Sequence, residues 1–125
     1  MILCVIIVQV AENAGLATVA CYLSMYLDVP LPRNMVFLGE VRYQGGITYS
    51  VPIDEHFLDF CLREGFSRIV GPSTRLQVLR EVVTKERYQG IELIELTNAK
   101  EIVPKVFEVL RETAAMAEED GPVVN

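Results

Sequence analysis

The feature that most constrains the fold is a series of short apolar, β-branched runs separated by segments with helical spacing. Residues 2–10 (Ile-Leu-Cys-Val-Ile-Ile-Val-Gln-Val) are almost continuously apolar, which is typical of a strand covered on both faces. Residues 13–28 have apolar side chains at three- and four-residue spacing and many small residues, which predicts a helix lying close against a sheet. Strand followed by helix favours an α/β fold over a bundle or a sandwich.

The middle of the chain predicts a β-hairpin followed by a helix. Strands at 36–41 and 47–51 flank the turn sequence Tyr43-Gln44-Gly45-Gly46. The next helix begins after Pro52 and ends at Gly65, because glycine readily adopts the left-handed conformation that ends a helix.

The second half of the chain continues the alternation. The predicted elements are a strand at 67–70, a helix at about 75–84, a strand at 91–96 and a last helix that ends at about 116. Thr97-Asn98 followed by Glu101 is a capping-box pattern, and Pro104 marks the point where the regular helix starts or restarts. We therefore expect one two-layer α/β domain over residues 1–117 and a flexible acidic tail over 118–125.

Composition excludes several classes of function. The net charge of -6 and the scattered arginines argue against a nucleic-acid-binding surface. The apolar run at residues 2–10 is far shorter than the roughly 20 residues of a membrane span, so no membrane association is expected. Cys4, Cys21 and Cys61 lie in apolar sequence without the spacing of a disulfide framework or a metal site, which indicates a reducing, cytoplasmic compartment. With one histidine and scattered carboxylates, we expect neither a metal nor another cofactor.

Three short motifs occur in a fixed order along the chain: Leu38-Gly39-Glu40-Val41, then Ser50-Val51-Pro52, then Gly65-Phe66 followed by Ile69-Val70-Gly71-Pro72. Over residues 2–110, their order and spacing resemble the proteolytic domain of Lon proteases and its relative at the end of the DNA-repair ATPase RadA. The resemblance implies the two-layer α/β fold of the ribosomal protein S5 domain 2-like type.

The residues that would make such a domain a peptidase are absent. Lon-type domains use a serine nucleophile and a lysine base, and the lysine must be neutral to take the proton of the hydroxyl. Asn13 stands where the resemblance places the serine, and an amide is neither a nucleophile nor a base. Phe57 or His56 stands at the lysine position, depending on where one extra hairpin residue is placed. Helical spacing favours Phe57, as part of an apolar face, and no lysine precedes Lys85.

Other side chains could in principle replace the dyad. His56 is the sole histidine, and Ser50 at the end of a strand is its best potential nucleophile. Ser24 and Cys21 lie two to three turns into the first helix, and Cys61 at i, i+5 from His56 does not face it. The resemblance gives Glu40 a structural or inter-subunit role rather than an acid–base role.

These observations favour a catalytically inactive Lon-like domain that acts as an oligomerisation or protein-interaction module, within or derived from a larger ATPase. Lon and RadA assemble into hexameric rings, so the resemblance implies self-association, or binding to a partner protein, as the activity that survives loss of the dyad. The alternatives are an ATP-dependent serine peptidase of the Lon family with a displaced Ser50–His56 site, and a RadA-like DNA-repair accessory domain.

Overall fold

A computed structural model describes residues 15–49 and 53–120 of the chain. Its centre is a parallel sheet of three strands, β1 (Met35–Phe37), β4 (Arg68–Pro72) and β5 (Glu92–Leu96), in the order β1-β4-β5. Val36 pairs with Ile69, which pairs in turn with Leu93. A separate antiparallel hairpin joins β2 (Glu40–Val41) to β3 (Ile47–Thr48). The chain is therefore a mixed α/β domain, as predicted.

The remaining elements are helices and helical turns. They are α1 (Gly15–Leu27), α2 (Glu55–Glu64), α3 (Ser73–Leu76), 3-10 turns at Gln77–Leu79, Val82–Thr84 and Glu86–Tyr88, a further 3-10 turn at Ala99–Glu101, a π-helical turn at Val103–Phe107 and α4 (Glu108–Asp120). Each parallel strand pair needs a crossover connection, which α2 supplies between β1 and β4 and the α3 segment supplies between β4 and β5.

Helices cover both faces of the described sheet. Because side chains alternate along a strand, Met35 and Phe37 point to one face of β1, and Val36 points to the other. The first face packs on α1 and on the segment from residue 102 to α4, and the second packs on α2 and the α3 segment. The arrangement thus has three layers, where the sequence predicted two. The spacing of apolar residues predicted that each helix has a buried face, but it did not predict on which side of the sheet each helix packs.

The predicted strand at 36–41 is two strands. Gly39 has a φ of 131°, which breaks the extended chain between β1 and β2. The first part joins the parallel sheet, and the second part turns away to pair with β3. Sequence pattern alone missed this break, because each part carries a β-branched valine, Val36 in the first and Val41 in the second.

The predicted helix at 75–84 is also wrong in part. Only one α-helical turn forms, and 3-10 turns carry the chain on to Tyr88. The Tyr88 ring is fully buried in the core beneath α2, and its hydroxyl donates a hydrogen bond of 2.8 Å to Asp59 Oδ1. This tertiary contact holds the segment against α2, where a continuous helix was expected.

Two predicted helix caps are confirmed, whereas the predicted end of the last helix at about residue 116 is wrong. Gly65 has a φ of 81° and donates its backbone N–H to the last carbonyls of α2. Asn98 and Glu101 form the predicted capping box. Pro104 lies within the π-helical turn, where it has no N–H to donate, and α4 continues to Asp120, into the residues assigned to the tail. The predicted strand at residues 2–10 and the positions Asn13 and Ser50 lie outside the described residues.

Candidate functional site

The start of α1 is held directly on the hairpin. The backbone N–H of Leu16 donates to Gly39 O at 2.9 Å. A Cβ on Gly15 would lie 2.8 Å from the backbone nitrogen of Val41, so the helix approaches β2 as closely as the two backbones allow. The resemblance to Lon proteases places the nucleophile immediately before this point, at Asn13. Glu40, on the adjoining β2, is exposed and pairs with Thr48 through its backbone.

The two positions that the resemblance to Lon proteases assigns to the lysine, Phe57 and His56, differ sharply in environment. Phe57 is half-buried and packs against the core under α2, with its ring centroid 6.4 Å from that of Phe60. His56 is exposed in the first turn of α2, where its backbone N–H donates to the Asp54 cap at 3.0 Å. No hydrogen bond or ion pair joins the His56 imidazole to any side chain in the described ranges. Asp59, one turn further along, binds Arg87 and Tyr88 instead.

None of the three lysines is buried. Lys85, Lys100 and Lys105 are all exposed, and all lie within the described part of the chain. Lys85 forms an ion pair with Glu55, and Lys105 forms one with Glu101 at 2.8 Å. The three lysines therefore lack the burial that a lysine general base requires.

The other nucleophile candidates are occupied or inaccessible. The buried Ser24 hydroxyl donates to Val29 O at 2.7 Å and so stabilises the end of α1. Cys61 is fully buried, and burial raises the pKa of its thiol to about 11, which keeps the thiol protonated and unreactive. Cys21 is half-buried on α1. The prediction of apolar surroundings is confirmed for Cys61.

A polar network that sequence reasoning missed lies at the carboxyl ends of β4 and β5. The Ser73 hydroxyl donates to Glu95 Oε1 at 3.2 Å, and Arg80 Nε donates to Glu95 Oε2 at 2.7 Å. Lys105 Nζ donates to the backbone oxygen of Glu95 at 2.8 Å. Adjacent parallel strands end at the same sheet edge, which was the available signal, but only the register of β4 against β5 brings these side chains together.

The electrostatics of this network do not suit acid–base chemistry. The hydrogen bond from Arg80 is the main cause that lowers the pKa of Glu95, with Ser73 adding to the effect. Glu101 likewise has its pKa lowered to about 2, first by Lys105 and then by Thr97. Carboxylates that stay ionised and hydrogen-bonded at neutral pH are poor acids and weak bases. The network therefore stabilises the fold rather than activating Ser73.

The most unusual surface is the outer face of α1. Tyr22, Met25 and Tyr26 are 69%, 62% and 85% exposed, and their i, i+3, i+4 spacing puts them on one side of the helix. The thirteen residues of α1 include no charged side chain. A helix that is apolar on all sides is normally buried on all sides. We call these three residues the α1 stripe.

Within residues 15–49 and 53–120, no group of three or more histidine, cysteine or acidic side chains is placed to hold a metal ion. No helix in the same ranges is both long enough and apolar enough to cross a membrane.

Comparison with known proteins finds a similarity to a Lon protease. No model of a known protein family matches the chain. An archaeal Lon protease from Methanocaldococcus jannaschii is 26% identical over 98 residues, which cover 78% of this chain. The chain is similar to part of a Lon protease. It spans about 14% of the length of that enzyme.

Proposed function

We propose that this chain is a Lon-like domain that lacks serine–lysine chemistry and works by binding copies of itself or another protein. The similarity to an archaeal Lon protease supports the relationship. The chain spans 14% of the length of that protein. We therefore also propose that this domain works together with an ATPase region.

The observation that carries the proposed loss of activity is the placement of the lysines. A lysine becomes a general base when burial or a neighbouring positive charge lowers its pKa toward neutrality. Lys85, Lys100 and Lys105 are exposed, and the first and last of them bind glutamates. Of the two positions that the resemblance assigns to the lysine, Phe57 contributes to the apolar core and His56 is exposed.

The proposed binding role rests on the α1 stripe. Exposed tyrosine and methionine side chains grouped on one helix face are typical of protein interfaces, where aromatic residues and methionine are enriched. The absence of charge on α1 adds to this argument, because charged residues are depleted at the centres of such interfaces.

A peptidase assay with an unfolded protein substrate tests the loss of activity. We expect no hydrolysis above the buffer rate, and the same result for Ser50→Ala and His56→Ala. Hydrolysis by the unmodified chain that either substitution abolishes would instead favour the displaced Ser50–His56 site. Light scattering over a range of concentrations tests self-association, and a mass that rises with concentration is the expected result.

The RadA-like alternative makes its own prediction. A DNA-repair accessory domain would bind a single-stranded oligonucleotide with an affinity that falls steeply with salt. With a net charge of -6, the chain is expected to show no such binding at moderate salt.

A further inference from the structure

We propose that the α1 stripe is covered by a second copy of this chain, through a contact in which the same helix face is used on both sides. This inference deepens the proposed binding function and rests on it. The inner side of the same helix already packs on the sheet through Leu16, Ala17 and Ala20, so among residues 15–49 and 53–120 the stripe is the face of α1 left exposed.

The stripe exposes a large part of the area that a stable dimer buries. At roughly 200 Å² for a fully exposed large side chain, the exposed fractions of Tyr22, Met25 and Tyr26 amount to roughly 430 Å² per copy. A standard interface buries about 800 Å² per partner, so the stripe alone supplies about half. A depression of about 370 Å³ continues from the end of α1, between residues 27–32 and Leu110, Arg111 and Ala114 of α4, and it extends the same surface. Most of its lining is apolar, and Asp28 and Arg111 are its charged members.

Charge favours a second copy over a charged partner. Each copy carries a net charge of -6, so most pairs of surfaces repel one another. Helix α4, which borders the depression, exposes two glutamates, Glu108 and Glu112, and one arginine, Arg111. The stripe brings no ionised group to the contact, and two copies of α1 can meet there without placing like charges together. A basic partner would gain most from the acidic surface and least from this uncharged one.

The contact is a symmetric helix pairing. Side chains three and four residues apart form the ridges with which helices interlock. When both partners present the same face, the arrangement closes as a two-fold dimer, and Tyr22 and Tyr26 of each copy flank the centre. Tyrosine is among the residues that contribute most to binding at such centres.

The test compares the full chain with two variants by light scattering or sedimentation across a concentration series. The double substitution Tyr22→Lys with Tyr26→Lys places four positive charges in the dimer contact while keeping good helix-forming residues. Tyr43→Lys is the matched control, because Tyr43 is fully exposed on the hairpin turn and lies outside the stripe. We expect the dimer dissociation constant to rise at least about 100-fold for the double variant and to change less than about twofold for the control.

A second measurement does not depend on adding charge. Met25→Cys should form a covalent dimer with a short bismaleimide at concentrations where the protein self-associates, whereas Tyr43→Cys and the unmodified chain should not. Circular dichroism and thermal melting confirm that each variant is folded.

The remaining outcomes separate this inference from the proposed function. If the protein self-associates and the double variant does so equally well, the stripe is not the contact, although the proposed function stands. If the unmodified chain is monomeric at every concentration, both self-association and this inference fail. If it is monomeric and the double variant also melts much earlier, the stripe is covered within the chain itself, which overturns the inference.

Discussion

Replacing Gly39 by alanine should strongly destabilise the fold, because the residue separates β1 from the hairpin in a conformation that other residues rarely adopt. Its φ is 131°, and backbone strain of that kind costs on the order of 1–3 kcal/mol. An added Cβ would also lie 2.7 Å from Ile47 Cγ2 and 3.3 Å from Thr48 O. Overpacking in a filled site costs about 1–3 kcal/mol more.

The combined penalty is about 2–6 kcal/mol, a large part of the roughly 5–15 kcal/mol by which a domain is stable. For a domain of this size, each kcal/mol lowers the melting temperature by roughly 4 °C. Gly39→Ala should therefore melt about 8–24 °C below the unmodified chain when unfolding is followed by circular dichroism.

Gly46→Ala is the matched control, since it is in the same hairpin. No atom lies within 4 Å of a Cβ built on Gly46, and its φ is outside the left-handed range. We expect its melting temperature to stay within about 2 °C of the original. If Gly39→Ala melted as late as this control, the proposed break between β1 and β2 would be wrong.

Two further predictions concern ionisable groups. Lys105, together with the hydroxyl and the backbone N–H of Thr97, lowers the pKa of Glu101 to about 2. In the unfolded chain the pKa of a glutamate is about 4.3. The ionised Glu101 therefore stabilises the fold fully above that unfolded pKa, and this stabilisation is lost as pH falls toward 2. Glu101→Gln should thus melt earlier than the unmodified chain at pH 7 but not at pH 2, and an equal difference at both pH values would contradict the pairing. Cys61, with its pKa raised to about 11 by burial, should react with a thiol reagent only after unfolding. Cys61→Ala should accordingly lower the number of thiols that react in denaturant by one, and it should leave unchanged the number that react rapidly in the folded protein.

Local signals predicted much of the secondary structure. The C-terminal cap at Gly65 and the capping box at Asn98 and Glu101 were readable because each depends on residues within one helical turn. The same holds for the α1 periodicity, although its outer apolar residues gave no sign of being exposed. Local signals failed to predict the structure where a contact between distant residues decided it. The segment before Tyr88 forms 3-10 turns where a helix was predicted, because Tyr88 binds Asp59 of α2.

The sequence predicted which catalytic groups the candidate site lacks better than it predicted which side chains come together there. The sequence alone determined that no lysine precedes Lys85 and that His56 is the sole imidazole, because these are facts of composition. Only the tertiary structure decided that all three lysines are exposed and that Phe57 packs into the core. It also decided that helices cover both faces of the described sheet and that the α1 stripe faces outward. Burial is set by contacts between residues far apart in the chain, whereas caps, turns and periodicity are set by neighbours.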